Sequence, residues 1–471
     1  MDVATSLFDS AVYVGFLGRG AYGTVKGYEL PDGSSVAIKE IISANNGVDS
    51  STVIELHCLS VLKGKPRILE LLAVKSTPER LSIMLVQHTG SMRQFVEIIN
   101  PQDILSVFPD VYEQLLEGLL YIRAAGIIHR DIKFDNILME FNFDPEDTEY
   151  RLIGQVSCYY ADFGLAFQTN CKNSSEAKFD RLYTPGYRAP ELLAKREYSY
   201  KADVWALGIV LVKYLVENFS VLPTEEQIEN ALAGVEEIDE DELFTVQSEI
   251  ELNNIMSLGN DKGEYIELHP LLGNLINERY IEEMQAMLCF DPNVRNRVTD
   301  FRDTPKSAPR TVYQPPRGNI KSSRISLSAF YNSVSWILQI VSKLDARVSV
   351  AVNSIDILER YLANYDVSNR EMKQLLIACV LISSKMTDTV YVDLDSFEVD
   401  RDTLVDTEKR VMEKMNYIST SCELGEYLVA VESLAKPLLS LSRMYKTFRA
   451  QSIYSGALAY KNLSAEILRY R

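Results

Sequence analysis

Residues 129–136 read H-R-D-I-K-F-D-N, and the interpretation of the whole chain depends on this stretch. It fits the pattern H-R-D-x-K-x-x-N. At roughly 5% per specified residue, such a match arises by chance on the order of 10⁻⁴ times in a chain of this length. The stretch therefore indicates a specific chemistry.

The residue types in this stretch suit phosphoryl transfer. Asp131 can accept or orient the proton of an attacking hydroxyl, Lys133 can steady the transferring phosphoryl group, and Asn136 can ligate magnesium. A D-F-G triplet follows at residues 162–164, and its Asp162 is a second candidate magnesium ligand.

A glycine-rich stretch lies near the amino terminus. Residues 18–25 read G-R-G-A-Y-G-T-V and fit G-x-G-x-x-G-x-V, in which missing side chains let backbone N–H groups approach phosphates. Three glycines at this spacing arise by chance about 0.16 times, so the pattern alone is weak. It also opens dinucleotide-binding folds, but those require a helix after the loop, whereas residues 24–28 predict a strand.

A lysine and a glutamate follow the glycine-rich stretch. Lys39 ends the apolar run V-A-I-K at residues 36–39, which predicts a strand. Glu55 shares one face of an amphipathic helix with Leu59 and Leu62. Because a glutamate is costly to bury unpaired, this position favours a partner such as Lys39.

Composition limits the functions open to the chain. Its 471 residues include 48 Lys and Arg and 66 Asp and Glu, a net charge of −18, which argues against specific nucleic-acid binding. The six cysteines form no C-x-x-C motif, which disfavours a zinc site or a disulfide framework. The apolar runs are too short to span a membrane, and residues 1–18 lack a basic residue, unlike a secretion signal. We therefore expect an intracellular protein, in the cytoplasm or nucleus.

The domain organisation follows from proline and charge. Residues 301–324 contain four prolines and six basic residues and predict an extended linker. It separates residues 10–300 from helical residues 325–430 and a helical extension at 431–471. Acidic insertions at 140–151 and 217–264 carry most of the net charge. Solvated surface loops are the favoured interpretation of them, and a regulatory or partner-binding segment is the alternative.

Residues 10–300 resemble the eukaryotic serine/threonine protein kinases, and among them most closely the cyclin-dependent kinases. Residues 51–55, S-T-V-I-E, resemble the P-S-T-A-I-R-E helix with one residue fewer, and residues 187–191, Y-R-A-P-E, match the activation segment. The resemblance implies an α+β fold with a β-rich N-lobe and a helical C-lobe. It also implies ATP and Mg²⁺ as cofactors and proteins as substrates.

The resemblance assigns further residues by position. Lys39 and Glu55 join Asp131 and Lys133 in the catalytic set. The implied ATP-binding residues are Leu17, Gly18, Gly20, Tyr22, Gly23, Val25, Ala37, Lys39, Leu85, Val86, His88 and Leu138. The implied activation-segment residues are Arg130, Phe179, Thr184, Arg188, Glu191 and Arg295, the last two as an ion pair.

Two departures from the family concern the activation segment. Phe179 occupies the position of the activating phosphothreonine, so Arg130 lacks its usual phosphate partner. Negative charge could instead come from Ser174, Ser175, Glu176 or Asp180. In addition, residues 182–186 read L-Y-T-P-G where the family has V-V-T-L-W. The resemblance therefore leaves open whether a proline must follow the phosphoacceptor.

Residues 325–430, which by periodicity alone form a helical bundle, resemble a cyclin box. The resemblance rests on residues 351–356, 375–385 and 407–412. It aligns Lys385 and Glu408 with the lysine and glutamate that cyclins use against the kinase helix and its flanking loop. Taken singly, each of the two could instead be an exposed helix charge.

These features predict a kinase that carries its own cyclin. Docking of residues 325–430, within one chain or swapped between two, would set Glu55 against Lys39 without a separate activator. The alternative is a catalytically weak kinase–cyclin scaffold or decoy that titrates cell-cycle or transcription regulators.

Overall fold

A computed structural model describes most of the chain. The described residues are 3–20, 23–42, 48–77, 80–143, 151–168, 183–233, 238–296, 327–344, 346, 348–387 and 400–414. The predicted linker at 301–324 and extension at 431–471, together with Tyr22 and Phe179, lie outside them.

The described residues form helices and strands in both predicted parts. The α-helices are α1 Val3–Ser10, α2 Ser50–Val61, α3 Met92–Ile98, α4 Pro101–Ala124, α5 Pro190–Leu193, α6 Lys201–Leu215, α7 Glu225–Ala231, α8 Glu240–Ser257, α9 His269–Leu272, α10 Glu278–Met287, α11 Leu327–Lys343, α12 Val348–Asn364, α13 Asn369–Thr387 and α14 Arg401–Lys414. The strands are β1 Val12–Gly20, β2 Gly23–Glu29, β3 Ser35–Ile42, β4 Leu71–Ser76, β5 Arg80–Val86, β6 Gly90–Ser91, β7 Ile127–Ile128, β8 Ile137–Phe143, β9 Leu152–Tyr160 and β10 Phe167–Gln168.

The chain divides into two compact units. The first comprises Met1–Val61, Leu71–Val86 and Ser307–Arg471, and the second comprises Leu62–Glu70 and Gln87–Lys306. Within the first unit, α13 packs against α2 and α14 packs against β4. The domain boundaries given from the sequence stay a prediction.

The first unit contains an antiparallel five-stranded sheet in the order β1-β2-β3-β5-β4. Its apolar side buries Val36, Ile38 and Met84. Between β2 and β3 the chain reverses at Gly33, whose φ of +84° suits a residue without a Cβ. The C-terminal helices complete this unit around α13, which is buried on every side from residue 375 to residue 384. Such all-round burial is typical of the central helix of a bundle.

The second unit is mainly helical. Helix α6 lies at its centre, and the short sheet β6-β8-β9 and the pair β10-β7 lie in the same unit. In the acidic insertion at 140–151, residues 140–143 form the end of β8, and Phe143 lies opposite Leu152, the first residue of β9. The insertion at 217–264 contains α7 and α8, and its Glu251 is 1% exposed. The insertion therefore contains two helices and a buried carboxylate, whereas its charge favoured a solvated surface loop.

Among the described residues, no helix is both long enough and apolar enough to cross a bilayer.

Candidate active site

Lys39 and Glu55 form an ion pair in the first unit. The Nζ atom of Lys39, on β3, lies 2.6 Å from Oε2 of Glu55, on α2. Their side chains are 18% and 5% exposed. Asp49 caps α2, because its carboxylate accepts a hydrogen bond from the Ser51 N–H at 2.9 Å. The residue spacing that predicted an inward-facing glutamate thus corresponds to a buried, paired carboxylate.

The strand register brings predicted nucleotide-binding residues onto one face of the five-stranded sheet. Val25 lies opposite Lys39, and Ala37 lies opposite Leu85. Directly opposed residues, and residues two apart on one strand, share a face. Gly18 lies opposite Val25 and joins this face.

The glycines of the loop serve different purposes. A Cβ on Gly23 would lie 2.2 Å from the carbonyl oxygen of Glu40, so pairing of β2 with β3 requires a glycine there. A Cβ on Gly18 would meet nothing within 4 Å. Gly20 lies opposite Gly23 where β1 and β2 meet. The packing of the sheet therefore explains Gly23 but not Gly18.

Val86 and His88, two of the implied ATP-binding residues, lie at the end of β5 and shortly after it. Val86 ends β5, opposite Val36. The ring of His88 stacks on Tyr159 at 4.1 Å between centroids, and its Nδ1 lies 3.3 Å from Glu140. Burial lowers the pKa of His88, and the hydrogen bond to Glu140 opposes this effect. His88 is therefore held as a neutral imidazole. Leu138, on β8, lies opposite Tyr159.

In the second unit, three side chains hold the carboxylate of Asp131. Its Oδ2 accepts hydrogen bonds from Nζ of Lys133 at 2.7 Å and from Nδ2 of Asn136 at 2.8 Å. Its Oδ1 accepts a hydrogen bond from the hydroxyl of Thr184 at 2.7 Å. Lys133 also donates to Thr184 at 3.0 Å. These three hydrogen bonds fix the orientation of the Asp131 carboxylate, which a group that accepts a proton from a substrate requires.

Asn136 and Asp162 suit a magnesium ion by their chemistry. Both described hydrogen bonds of the Asn136 side chain use Nδ2, toward the backbone and side chain of Asp131, which leaves an amide oxygen to face a ligand. Asp162 is exposed and has a φ of +58°, an uncommon conformation for a residue other than glycine. Carboxylate and amide oxygens are the protein ligands that Mg²⁺ takes.

Asp203 anchors the backbone of residues 129–136, which we call the catalytic loop. Its carboxylate accepts hydrogen bonds from the backbone N–H of His129 at 2.6 Å and of Arg130 at 3.0 Å, and from the hydroxyl of Tyr183 at 3.1 Å. Burial raises its pKa, and these donors oppose that effect. No role was predicted for Asp203 from the sequence. A single carboxylate within the mainly apolar helix α6 was the available signal of a buried anchor.

Arg130 has partners other than a phosphate. Its Nε donates to the carbonyl oxygen of Leu165 at 2.5 Å, and its Nη2 donates to that of Ala166 at 3.3 Å. Its guanidinium lies 5.3 Å from the centroid of the Phe167 ring. Carbonyl oxygens and an aromatic face thus surround the arginine.

Two further arginines fix the end of the activation segment. Arg295 forms a bidentate pair with Glu191, at 2.8 and 3.0 Å, and both side chains are almost fully buried. Arg188 donates from Nε to the carbonyl oxygen of Tyr183 at 3.1 Å. Tyr183 has a φ of +62°, in the left-handed region.

Lys385 and Glu408 meet at Val48, two residues before α2. Nζ of Lys385 donates to the Val48 carbonyl oxygen at 2.7 Å, and Oε2 of Glu408 accepts from the Val48 N–H at 3.2 Å. Nζ of Lys385 also donates to Oε1 of Glu408 at 2.5 Å. Their side chains are 15% and 1% exposed, so neither is an exposed helix charge. We call this arrangement the Val48 clamp.

Two family models match the chain. The model "Protein kinase domain" matches residues 12–305, and the model "Cyclin, N-terminal domain" matches residues 310–419.

Individual relatives are protein kinases. Serine/threonine-protein kinase pakF of Dictyostelium discoideum is 31% identical over 42% of this chain and 16% of its own length. Mitogen-activated protein kinase 4 of Oryza sativa subsp. japonica is 30% identical over 64% of this chain and 78% of its own length. Cyclin-dependent kinase 4 of Xenopus laevis is 31% identical over 42% of this chain and 60% of its own length. The chain therefore spans less than two thirds of some of these relatives.

Proposed function

This chain belongs to the protein kinase family, and we propose that it is an ATP-dependent serine/threonine protein kinase activated in cis by its own cyclin-like helices.

The Val48 clamp is the observation that supports this proposal most directly. The clamp binds the backbone just before α2, and Glu55 of the same helix pairs with Lys39. Fixing the start of α2 therefore favours the position in which this pair forms. Shifting such a helix from about 1:99 to 99:1 requires about 5.5 kcal/mol of differential binding. Hydrogen bonds to charged groups contribute about 1.5–3 kcal/mol each, so two of them approach this value.

The chemical step divides among the predicted site residues. Bound Mg²⁺–ATP supplies the phosphoryl group, Asn136 and Asp162 would hold the ion, and Lys39 would bind the phosphates. Asp131 would orient the serine or threonine hydroxyl of the protein substrate and take its proton as the new O–P bond forms and the bond from the γ-phosphorus to the β–γ bridging oxygen breaks, with ADP as the leaving group. Lys133 neutralises charge beside Asp131.

The conformation of Tyr183 supports a preference for proline after the phosphoacceptor. Its carbonyl oxygen accepts a hydrogen bond from Arg188 and is therefore already used within the chain. An amide N–H on the following substrate residue would lack this acceptor, whereas proline has no N–H to satisfy.

The surroundings of Arg130 support activity without phosphorylation of the activation segment. In related kinases a phosphate occupies the place of Phe179 and binds this arginine. Here the carbonyl oxygens of Leu165 and Ala166 accept its N–H groups, so its position does not require a phosphate.

A full-length Glu408→Gln variant tests activation in cis, with Asp402→Asn, an exposed change on the same helix, as the control. We expect Glu408→Gln to lower the rate of phosphate transfer to protein at least about tenfold. Equal rates in the two variants would show that the clamp does not activate the kinase.

The alternative of a scaffold or decoy makes no use of a hydrogen-bonded Asp131. An Asp131→Asn variant separates the two functions, because a scaffold keeps its function while a kinase loses phosphate transfer.

A further inference from the structure

Residues 87–91 join β5 to α3, and we call them the connector. The last two of these residues form β6, in which Gly90 lies opposite Met139 and Ser91 lies opposite Leu138 of β8. The connector and β8 both belong to the second unit. The connector therefore runs antiparallel to β8 and ends beside Leu138, one of the implied ATP-binding residues.

The side chain of Thr89 fixes the connector to β8 beyond the paired residues. Its Oγ1 accepts a hydrogen bond from the N–H of Phe141 at 3.2 Å and lies 3.0 Å from the Phe141 carbonyl oxygen. The same hydroxyl lies 3.1 Å from Oε1 of Glu140. Because a hydroxyl has a single proton, these two oxygens share it. Thr89 thus takes the place of a backbone partner for Phe141 and also contacts the Glu140 carboxylate.

Glu140 joins Thr89 to His88. Its Oε2 lies 3.3 Å from Nδ1 of His88, and since a carboxylate only accepts hydrogen bonds, the imidazole is the donor. The side chain of His88 is 7% exposed, whereas that of Glu140 is 51% exposed. The two oxygens of one exposed carboxylate therefore bind two consecutive residues of the connector. Glu140 is also the first residue of the acidic insertion at 140–151.

The ring of Tyr159, on β9, supports the imidazole of His88. The two rings stack with an angle of 15° between their planes and 4.1 Å between their centroids. Tyr159 lies opposite Leu138, and Glu140 follows Leu138 by two residues on the same strand. Directly opposed residues, and residues two apart on one strand, share a face. Leu138, Glu140 and Tyr159 therefore share one face of the β6-β8-β9 sheet, and His88 packs on that face.

We propose that Glu140 and Tyr159 are positioning residues for ATP: they hold His88 and Thr89 against the β8-β9 hairpin and so keep the connector in the conformation that binds the nucleotide. This inference rests on the ATP binding of the proposed function and gives the hairpin a part in nucleotide affinity. Neither Glu140 nor Tyr159 is an implied ATP-binding residue, so the effect passes through His88 and Thr89. A connector that samples other conformations binds ATP with an affinity reduced in proportion to the time spent in them.

The test uses the full chain, calorimetry with Mg²⁺–ATP, and kinetics with a peptide that the wild type phosphorylates. In E140A and in Y159A we expect Kd and KM for ATP to rise about fivefold. KM for the peptide and kcat at saturating ATP are expected to change less than about twofold. Y159F keeps the stacked ring and is expected to bind ATP as the wild type does. N142A, an exposed change on the same strand as Glu140, is the matched control.

An ATP affinity of E140A equal to that of N142A would overturn the inference. So would a proportional rise of KM for ATP and for the peptide, because that pattern marks a purely structural role. If Y159A does not fold, E140A, at an exposed position, provides the comparison. A wild-type chain that binds ATP but transfers no phosphate would overturn the proposed function alone, since calorimetry still tests the positioning of ATP. A wild-type chain that binds no ATP would overturn both.

Discussion

Nζ of Lys385 lies 2.7 Å from the carbonyl oxygen of Val48, a residue 337 positions earlier in the chain. Glu408 binds the N–H of the same residue, so both polar backbone groups of Val48 are used by the C-terminal helices. Val48 is 2% exposed, and α2 begins two residues later. One buried residue therefore joins the cyclin-like helices to the helix that carries Glu55.

The clamp predicts a non-additive effect on the stability of α2. Lys385→Met leaves the buried carboxylate of Glu408 without its cation, which typically costs about 3–5 kcal/mol. Lys385→Met with Glu408→Leu removes both charges and is expected to cost less than the sum of the single changes. Amide hydrogen exchange of Ser50–Val61 measures these differences. The control is Lys373→Met, an exposed change on the same helix, and equal exchange in Lys385→Met and the control would contradict the prediction.

Alanine substitutions at two glycines of the glycine-rich stretch are expected to affect different properties, one the stability of the fold and the other ATP binding. Gly23→Ala brings a Cβ against the Glu40 carbonyl oxygen and is expected to destabilise the fold by about 1–3 kcal/mol. Gly18→Ala meets open space, so we expect an almost unchanged melting temperature and a raised KM for ATP. Thermal denaturation and ATP kinetics of the two variants check this, and equal destabilisation by both would show that the packing has been misjudged.

His88 predicts a loss of stability at acidic pH. Burial lowers its pKa below the ordinary value of 6.5, so protonation is easier in the unfolded chain than in the folded one. Its contribution is fully present above pH 6.5 and falls as the pH drops from 6.5 through the lower pKa of the folded protein. Urea denaturation from about pH 7 to about pH 5 measures the slope. His88→Phe keeps the stacking on Tyr159 and is expected to flatten the slope; an unchanged slope would contradict this origin.

His269 predicts the opposite pH dependence. Hydrogen bonds to Glu278 and Glu267 raise its pKa to about 9. This contribution is therefore fully present below pH 6.5 and is lost between pH 6.5 and about 9. Because the side chain is exposed to solvent, we expect a small effect. Urea denaturation of His269→Gln across this range checks it, and a variant as pH-dependent as the wild type would exclude the histidine as the source.

The partners of Arg130 predict activity that survives dephosphorylation. Since carbonyl oxygens already accept its N–H groups, phosphatase treatment of the full chain should change kcat less than about twofold. The phosphorylation state is checked by mass spectrometry and the activity by phosphate transfer to protein. Loss of activity after treatment would mean that another residue of the segment supplies the charge.

The Lys39–Glu55 pair and the hydrogen bonds from Lys133 and Asn136 to Asp131 were predictable because short-range rules govern them. A glutamate on the apolar face of a helix needs a cation, and a five-position motif specifies residues that act within one loop. The burial of Glu251 against Gly186 and Arg188 could not be predicted, also for a physical reason. Glu251 lies in a run of acidic residues, and such runs are usually solvated, so nothing local distinguishes the one carboxylate that is buried.

The sequence by itself determined which residues are candidates for phosphoryl transfer, the order of the kinase and cyclin domains and the phenylalanine at position 179, because residue type and spacing along one segment are sufficient for each. Only the tertiary structure decided that Lys385 and Glu408 bind Val48, that Asp203 holds the catalytic loop, and that Glu251 reaches Gly186 and Arg188. These contacts join residues tens to hundreds of positions apart, and their hydrogen bonds depend on distances of a few tenths of an ångström that only the folded path of the chain sets.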